Sequence, residues 1–230
     1  MLNLLIDADD TLWENNVYFE QAIASFLSLL DHTPHAPEQL RDHLNRIESE
    51  TVREHGYGTG SFERSLLRCY EELTHQPLGE RERLRIRGFA QSIVEAEIQL
   101  LPGVREALPR LAERHRLLLV TKGNHAEQAD KLSRSGLAPH FTAVEILREK
   151  DAATYRELAH RRQLATASTW MIGNSPRSDI NPALEAGFHA AYLRYHSTWV
   201  LEEEAIRTPL PGQRLLVCDD FASAAEQLLL

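Results

Sequence analysis

The sequence predicts an α/β protein: a Rossmann-like, doubly wound and mostly parallel sheet core with an inserted all-helical cap domain. Three features carry that expectation. An apolar run, Leu4-Leu5-Ile6, opens the chain; a stretch with helical periodicity and no convincing strand follows over 16–98; and beyond Leu101-Pro102-Gly103 short apolar runs alternate with helical segments. Strands that alternate with helices need crossover connections, which implies parallel pairing with helices on both faces of the sheet.

The elements follow in order. Residues 3–6 form the first strand. Within 16–98, apolar residues recur at helical spacing, as in Ala22, Phe26, Leu29 and Leu30, or Leu66, Leu67, Tyr70 and Leu73. Pro34, Pro37, Gly56, Gly58, Gly60, Pro77 and Gly79 break this stretch into about four helices. Leu117 to Val120 reads as a strand, and Ala126 to Ser135 as a helix ended by Gly136. Phe141 to Val144 reads as a short strand before a helix over 152–162. Thr169 to Ile172 is the next strand, with a helix near 179–186 stopped by Gly187. Ala190 to Leu193 and Leu215 to Val217 are strands, and Phe221 to Leu229 a closing helix. The core is thus expected over 1–15 and 99–230 and the cap over 16–98. The cap lies beside the C-terminal end of the first strand, the edge at which open α/β sheets bind ligands. Hinges are expected near 14–17 and 98–103, so that the cap can close over a reaction and open for release.

A formal charge of −9 argues against nucleic acid or an anionic membrane as partner, because neutralising phosphates needs a basic face. Cys69 and Cys218 are too few for a disulfide framework and lack metal-ligand spacing, which fits small core residues in a reducing compartment. The chain opens directly into a strand with no charged leader or membrane-length apolar run, so the cytoplasm is expected. Lysine occurs only at 122, 131 and 150.

Chemistry-bearing residues gather where the strands end. The first strand delivers Asp7 and Asp9, and side chains two apart on extended backbone share a face. Two anions held so close call for a cation or a proton between them. The strand at 117–120 runs into Thr121-Lys122-Gly123-Asn124, a hydroxyl followed by a glycine turn that can offer N–H groups to an anion or simply cap the next helix. Lys150 stands before a helix opened by Asp151. The strand at 169–172 ends in Gly173-Asn174-Ser175-Pro176-Arg177-Ser178-Asp179, where an amide and a carboxylate can both supply oxygen to a hard cation.

Taken in order, DxDxT at Asp7 to Thr11, the hydroxyl of Thr121, Lys150 and the GxxxxxD segment ending at Asp179 resemble the haloacid dehalogenase superfamily of hydrolases, in particular its magnesium-dependent phosphatases with a helical cap of the C1 type. The resemblance implies an aspartyl-phosphate mechanism. Asp7 would be the nucleophile, and Asp9 the acid that protonates the leaving oxygen and then the base that activates water. Thr121, the amides that follow it and Lys150 would hold the phosphoryl oxygens. Mg²⁺ would be bound by Asp7 and by Asp9 through its main-chain carbonyl, with Asn174 and Asp179 as the further candidates, either of which can be the direct ligand. Asp10 stands where the family often has glycine and is given no catalytic role. Asn174 stands where the family commonly has aspartate, which removes one negative charge and implies weaker metal binding.

A phosphomutase needs only a different acceptor on the same residues. A dehalogenase needs neither metal nor a second aspartate. Phosphonate cleavage through a cap lysine is excluded, because residues 14–100 contain no lysine. A regulatory module that binds phosphate without turnover is the rival of another class. The expected substrate is a small phosphorylated metabolite. Thr11, Trp13, Lys122, Gly123 and Asn124 are the candidates to contact it. The segments 55–60 and 195–199 are each placed as a specificity loop or pocket lip, or as an ordinary connector or surface stretch.

Overall fold

The computed structural model describes residues 1–230. The chain divides into two compact units, Met1–Asn16 with Ile98–Leu230, and Val17–Glu97.

The first unit is built on a six-stranded sheet: β1 (Asn3–Ile6), β2 (Arg116–Lys122), β3 (Ala143–Leu147), β4 (Thr169–Gly173), β5 (His189–Leu193) and β6 (Leu215–Cys218). Their order is β3-β2-β1-β4-β5-β6, and every neighbouring pair is parallel. Strand sides alternate as a two-residue period requires. Leu4, Ile6, Leu117, Leu119, Trp170 and Ile172 pack on one face with α5 (Val104–Arg114), α6 (His125–Ser135) and α9 (Phe221–Leu229). Leu5, Leu118, Val120 and Met171 pack on the other with α7 (Ala152–Arg162) and α8 (Asn181–Glu185). Both faces are therefore dry, which is why these strands read as continuous apolar runs.

The order reverses between β1 and β4, from which the chain winds outward in both directions. The register aligns the two strand ends: Ile6 pairs with both Leu119 and Ile172, and the Asp7 N–H donates to the Ile172 carbonyl at 2.9 Å. Asp7, Val120 and Gly173 thus reach the C-terminal edge at the same height. That reversal is where a doubly wound sheet opens a crevice.

Some elements differ from expectation. β3 begins at Ala143, not Phe141; Phe141 packs against the core as a side chain ahead of the strand, so its apolar character marks burial and not strand. The helix placed near 179–186 is shorter: one wide π-type turn, Pro176–Ile180, precedes α8. α5 was not singled out in the sequence, its Pro109 interrupting the pattern, yet Val104, Ala107, Leu108 and Leu111 bury one face of it.

The second unit contains helices only: α2 (Pro37–His55), α3 (Thr59–Thr74), α4 (Glu80–Glu95) and most of α1 (Asn16–Leu29). Phe26, Leu30, Leu44, Ile47, Leu66 and Ile86 form its own closed core, and Phe19 meets Phe62 edge-on at 5.0 Å. No helix of either unit is long and apolar enough to cross a membrane.

Candidate active site

Asp7 leaves β1 buried, and Lys150 Nζ lies 2.5 Å from its Oδ1 and 2.7 Å from Oδ1 of Asp179. All three side chains are nearly inaccessible. Burial alone would favour neutral Lys150, but the two carboxylates outweigh it and hold the ammonium charged, well above the ordinary lysine value. Burial, with the charge of Asp179 behind it, pushes Asp7 up to about 7 against the pull of Lys150. With both carboxyls ionised, one ammonium between them leaves one negative charge uncompensated, and the raised Asp7 value reflects a demand for a proton or a cation there.

Thr11 is fully buried, and its hydroxyl lies within donating distance of Asp7 Oδ2 (3.0 Å) and Asn174 Oδ1 (3.2 Å). A hydroxyl has one proton, so it serves one of these acceptors at a time. The second Asp179 oxygen accepts from the Ser175 N–H at 3.0 Å. Gly173 makes this possible, because a methyl group at its Cα would overlap the Asp179 carboxyl. The wide turn at 176–180 swings Asp179 back over the end of β4 and is tied by the Asp179 and Ile180 amides to the Ser175 carbonyl.

These donors are all oxygen: two carboxylates and the Asn174 amide at the β1/β4 crevice, with a charge deficit of one. The set suits a hard divalent cation such as Mg²⁺. No group of three or more His, Cys, Asp or Glu side chains is placed to hold a metal ion. An ion here would therefore rest on the two carboxylates, Asn174 Oδ1 and main-chain carbonyls.

Asp9 points elsewhere than Asp7. Lys131 Nζ contacts both its oxygens at 2.9 and 3.0 Å, Gln128 Nε2 donates at 2.8 Å and the Trp13 indole N–H at 2.8 Å. Burial would raise Asp9, but Lys131 and these hydrogen bonds override it and hold the carboxyl below the usual range. Lys131 and Gln128 sit three apart on α6 and so share one helix face. They were not foreseen; the scarcity of lysine was the one available hint.

The loop after β1 folds on itself through Leu12 N–H to Ala8 and Asp10 N–H to Trp13 main-chain bonds. Asp10 sits at φ 60°, a left-handed conformation that glycine adopts without strain and few other residues do. Its carboxyl accepts from the Asn15 and Asn16 amides at 2.8 and 3.0 Å, and burial pushes it up to about 7. Asp10 is thus a turn former and helix-start acceptor.

The candidates for substrate contact divide. Thr121 is buried near the end of β2, the strand beside β1, one position beyond the residue level with Asp7. Gly123 has φ 141°, and Asn124 Oδ1 caps α6 by accepting from the Ala126 and Glu127 amides. The Asn124 side chain is thereby spent on the helix, which leaves only its backbone for an anion. Lys122 turns to Glu202 (2.6 Å) and Ser178 Oγ (2.7 Å), so its charge is already matched. Trp13 is fully buried in the sheet core, so packing and its bond to Asp9 account for it. Glu202 was hidden in the run Glu202-Glu203-Glu204, where nothing marks one glutamate from the others.

A sequence model of haloacid dehalogenase-like hydrolases matches residues 2–187. The chain belongs to this family. Among solved structures it is similar to a haloacid dehalogenase-like family hydrolase from Xanthomonas campestris, with TM-score 0.83, 28% identity, and coverage of 100% of this chain and 96% of that one. It is similar in fold to the putative HAD-hydrolase YfnB from Bacillus subtilis bound to magnesium, with TM-score 0.66, 21% identity, and coverage of 100% and 99%. L-2-haloacid dehalogenase from Xanthobacter autotrophicus gives TM-score 0.66, 13% identity, and coverage of 99% and 98%. No curated protein matches the chain in sequence. Family membership makes the protein a hydrolase and assigns its sheet to the Rossmann-like core of that family. Both phosphatase and dehalogenase chemistry remain within the family's range.

Proposed function

We propose that the protein is a Mg²⁺-dependent phosphatase that hydrolyses a small phosphomonoester through an aspartyl-phosphate on Asp7. The observation that carries this reading is the pairing of two unlike carboxylates on one loop: Asp7 in the crevice with Asp179 and a charge deficit, and Asp9 on a separate network. A halide leaves without a proton, so a dehalogenase has no use for Asp9 or for the extra cation. An alkoxide needs both a proton and charge neutralisation.

Asp7 would attack phosphorus, forming the Asp7 Oδ–P bond as the ester P–O bond breaks. Asp9, once its carboxyl leaves the Lys131, Gln128 and Trp13 contacts that keep it charged here and takes up a proton, would give that proton to the departing oxygen. Water would then attack the phosphoryl group, losing its proton to Asp9 and releasing Asp7 and phosphate. Lys150 orients Asp7 and holds positive charge beside the phosphoryl oxygens, and Thr11 steadies the second Asp7 oxygen. Mg²⁺, held by Asp7, Asp179, Asn174 and the Asp9 carbonyl, would neutralise the phosphate dianion. The overall negative charge fits a small soluble metabolite better than a nucleic acid or membrane, and the two buried free cysteines fit the cytoplasm.

The test is phosphate release from p-nitrophenyl phosphate with Mg²⁺, beside chloride release from 2-chloropropionate. Asp7→Asn and Asp9→Asn should each lower phosphate release by about 10³-fold or more, and chelation should abolish it. Chelator-insensitive chloride release that Asp9→Asn leaves intact would instead establish a dehalogenase.

A further inference from the structure

We propose that Glu202 is a positioning residue of the site, holding the Ser175–Ser178 turn that carries Asn174 and Asp179. The inference rests on the phosphatase reading for its kinetic consequence only. Glu202 lies in the long excursion 194–214 between β5 and β6, and its carboxylate is buried. One oxygen, Oε2, accepts from the hydroxyls of Ser175 at 2.6 Å and Ser178 at 2.5 Å. The other, Oε1, receives Lys122 Nζ at 2.6 Å, and that ammonium also reaches Ser178 Oγ at 2.7 Å. Burial would raise the Glu202 carboxyl, but Lys122 and the two hydroxyls hold it charged.

The bonds run onward to the crevice. Ser175 Oγ accepts the Ser178 N–H at 2.9 Å, and the Ser175 N–H donates to Asp179 Oδ2 at 3.0 Å. Glu202 is therefore one residue removed from the carboxylate that pairs with Lys150. The same excursion is pinned at its start to the loop after β1: Asn16 Nδ2 donates to the Ser197 carbonyl at 2.6 Å, and the Tyr195 hydroxyl bonds the Glu14 carboxylate. Leu201 accepts from Arg177 Nη1 at 2.7 Å. A single strap thus ties the loops after β1, β2 and β4. Glu202 is its one buried charge, and the position of Asp179 to within a fraction of an ångström depends on that anchor.

The experiment compares wild type with Glu202→Gln, Glu202→Asp and the double variant Lys122→Met/Glu202→Met. It reads kcat and KM on p-nitrophenyl phosphate with Mg²⁺, the thermal midpoint, and amide exchange of residues 175–180. Glu202→Gln should lower kcat about 10- to 100-fold with KM changed less than about threefold, and Glu202→Asp should recover part of kcat. The double variant leaves no buried ammonium unpaired, so its midpoint should return toward wild type. Its kcat should stay low and its 175–180 amides should exchange about tenfold faster than in wild type. Recovery of kcat together with the midpoint would overturn the proposal, since Glu202 would then serve stability alone. Unaltered 175–180 exchange would overturn it whatever the assay shows. Wild type that releases no phosphate while the variants speed that exchange would count against the phosphatase reading and leave Glu202 as the anchor of the turn.

Discussion

Lys150 Nζ stands 2.5 Å from Asp7 Oδ1, and the same ammonium reaches Asp179 at 2.7 Å. Without it two buried carboxylates would face each other with no cation. Lys150→Met is therefore expected to destabilise the protein by about 3–5 kcal/mol, to lower kcat by about 10³-fold, and to recover part of the stability when Mg²⁺ is added. Urea unfolding with and without Mg²⁺ checks this. A variant as stable as wild type in the absence of the ion would contradict the arrangement.

The contact between Lys131 and Asp9 has a kinetic signature. Lys131 holds the Asp9 carboxyl below its ordinary value despite burial. Its contribution to stability is present above the unfolded pKa and lost as pH falls through the folded one. Lys131→Met should raise the Asp9 pKa, so the protonated acid persists to higher pH. The limb of the kcat profile governed by Asp9 should move to higher pH. A pH–rate profile of the variant decides it, an unmoved limb excluding Asp9 as the acid.

Asp10 makes its case through backbone. At φ 60° it occupies the left-handed region, and its Oδ1 satisfies two amides at the start of α1. Asp10→Ala keeps the strained conformation and strands those donors, at a cost of about 2–4 kcal/mol. Asn tolerates this conformation and retains the acceptor, so Asp10→Asn should fold within about 1 kcal/mol of wild type. Chemical denaturation of the pair tests the point, and equal losses in both would exclude the turn-forming role.

In the helical unit, Glu48 is buried on α2 and its Oε2 has no hydrogen-bond partner. Burial pushes the carboxyl from 4.5 up to about 7. The folded chain therefore keeps a proton that the unfolded chain has released. Stability should be greatest below pH 4.5 in this respect and fall as pH rises through 7, by roughly 3 kcal/mol. Glu48→Gln should flatten that dependence and be the more stable protein at pH 8. Unfolding curves at pH 5 and pH 8, followed by circular dichroism, provide the comparison.

Apolar runs exposed the parallel sheet in the sequence, because strands buried on both faces have no polar side to blur them. Leu117 to Val120 and Thr169 to Ile172 needed no tertiary information. Phe141 misled because an aromatic residue ahead of a strand is as apolar as one within it. At the crevice, residues on strand ends were legible, since their place follows from where a strand stops. Partners brought by other elements were not. Asp9 and Lys131 are 122 positions apart, and Lys122 and Glu202 are 80 apart. Nothing in residue type tells a lysine that pairs across such a span from one that reaches for a ligand.

All three lysines of the chain are tied to carboxylates along the sheet's C-terminal edge, and each is largely shielded, while every other basic side chain is arginine or histidine. The outer surface consequently offers acylating and aldehyde reagents almost no side-chain amine. Whatever label such a reagent does attach to lysine should accumulate in step with inactivation. A ligand that fills the crevice should protect against both.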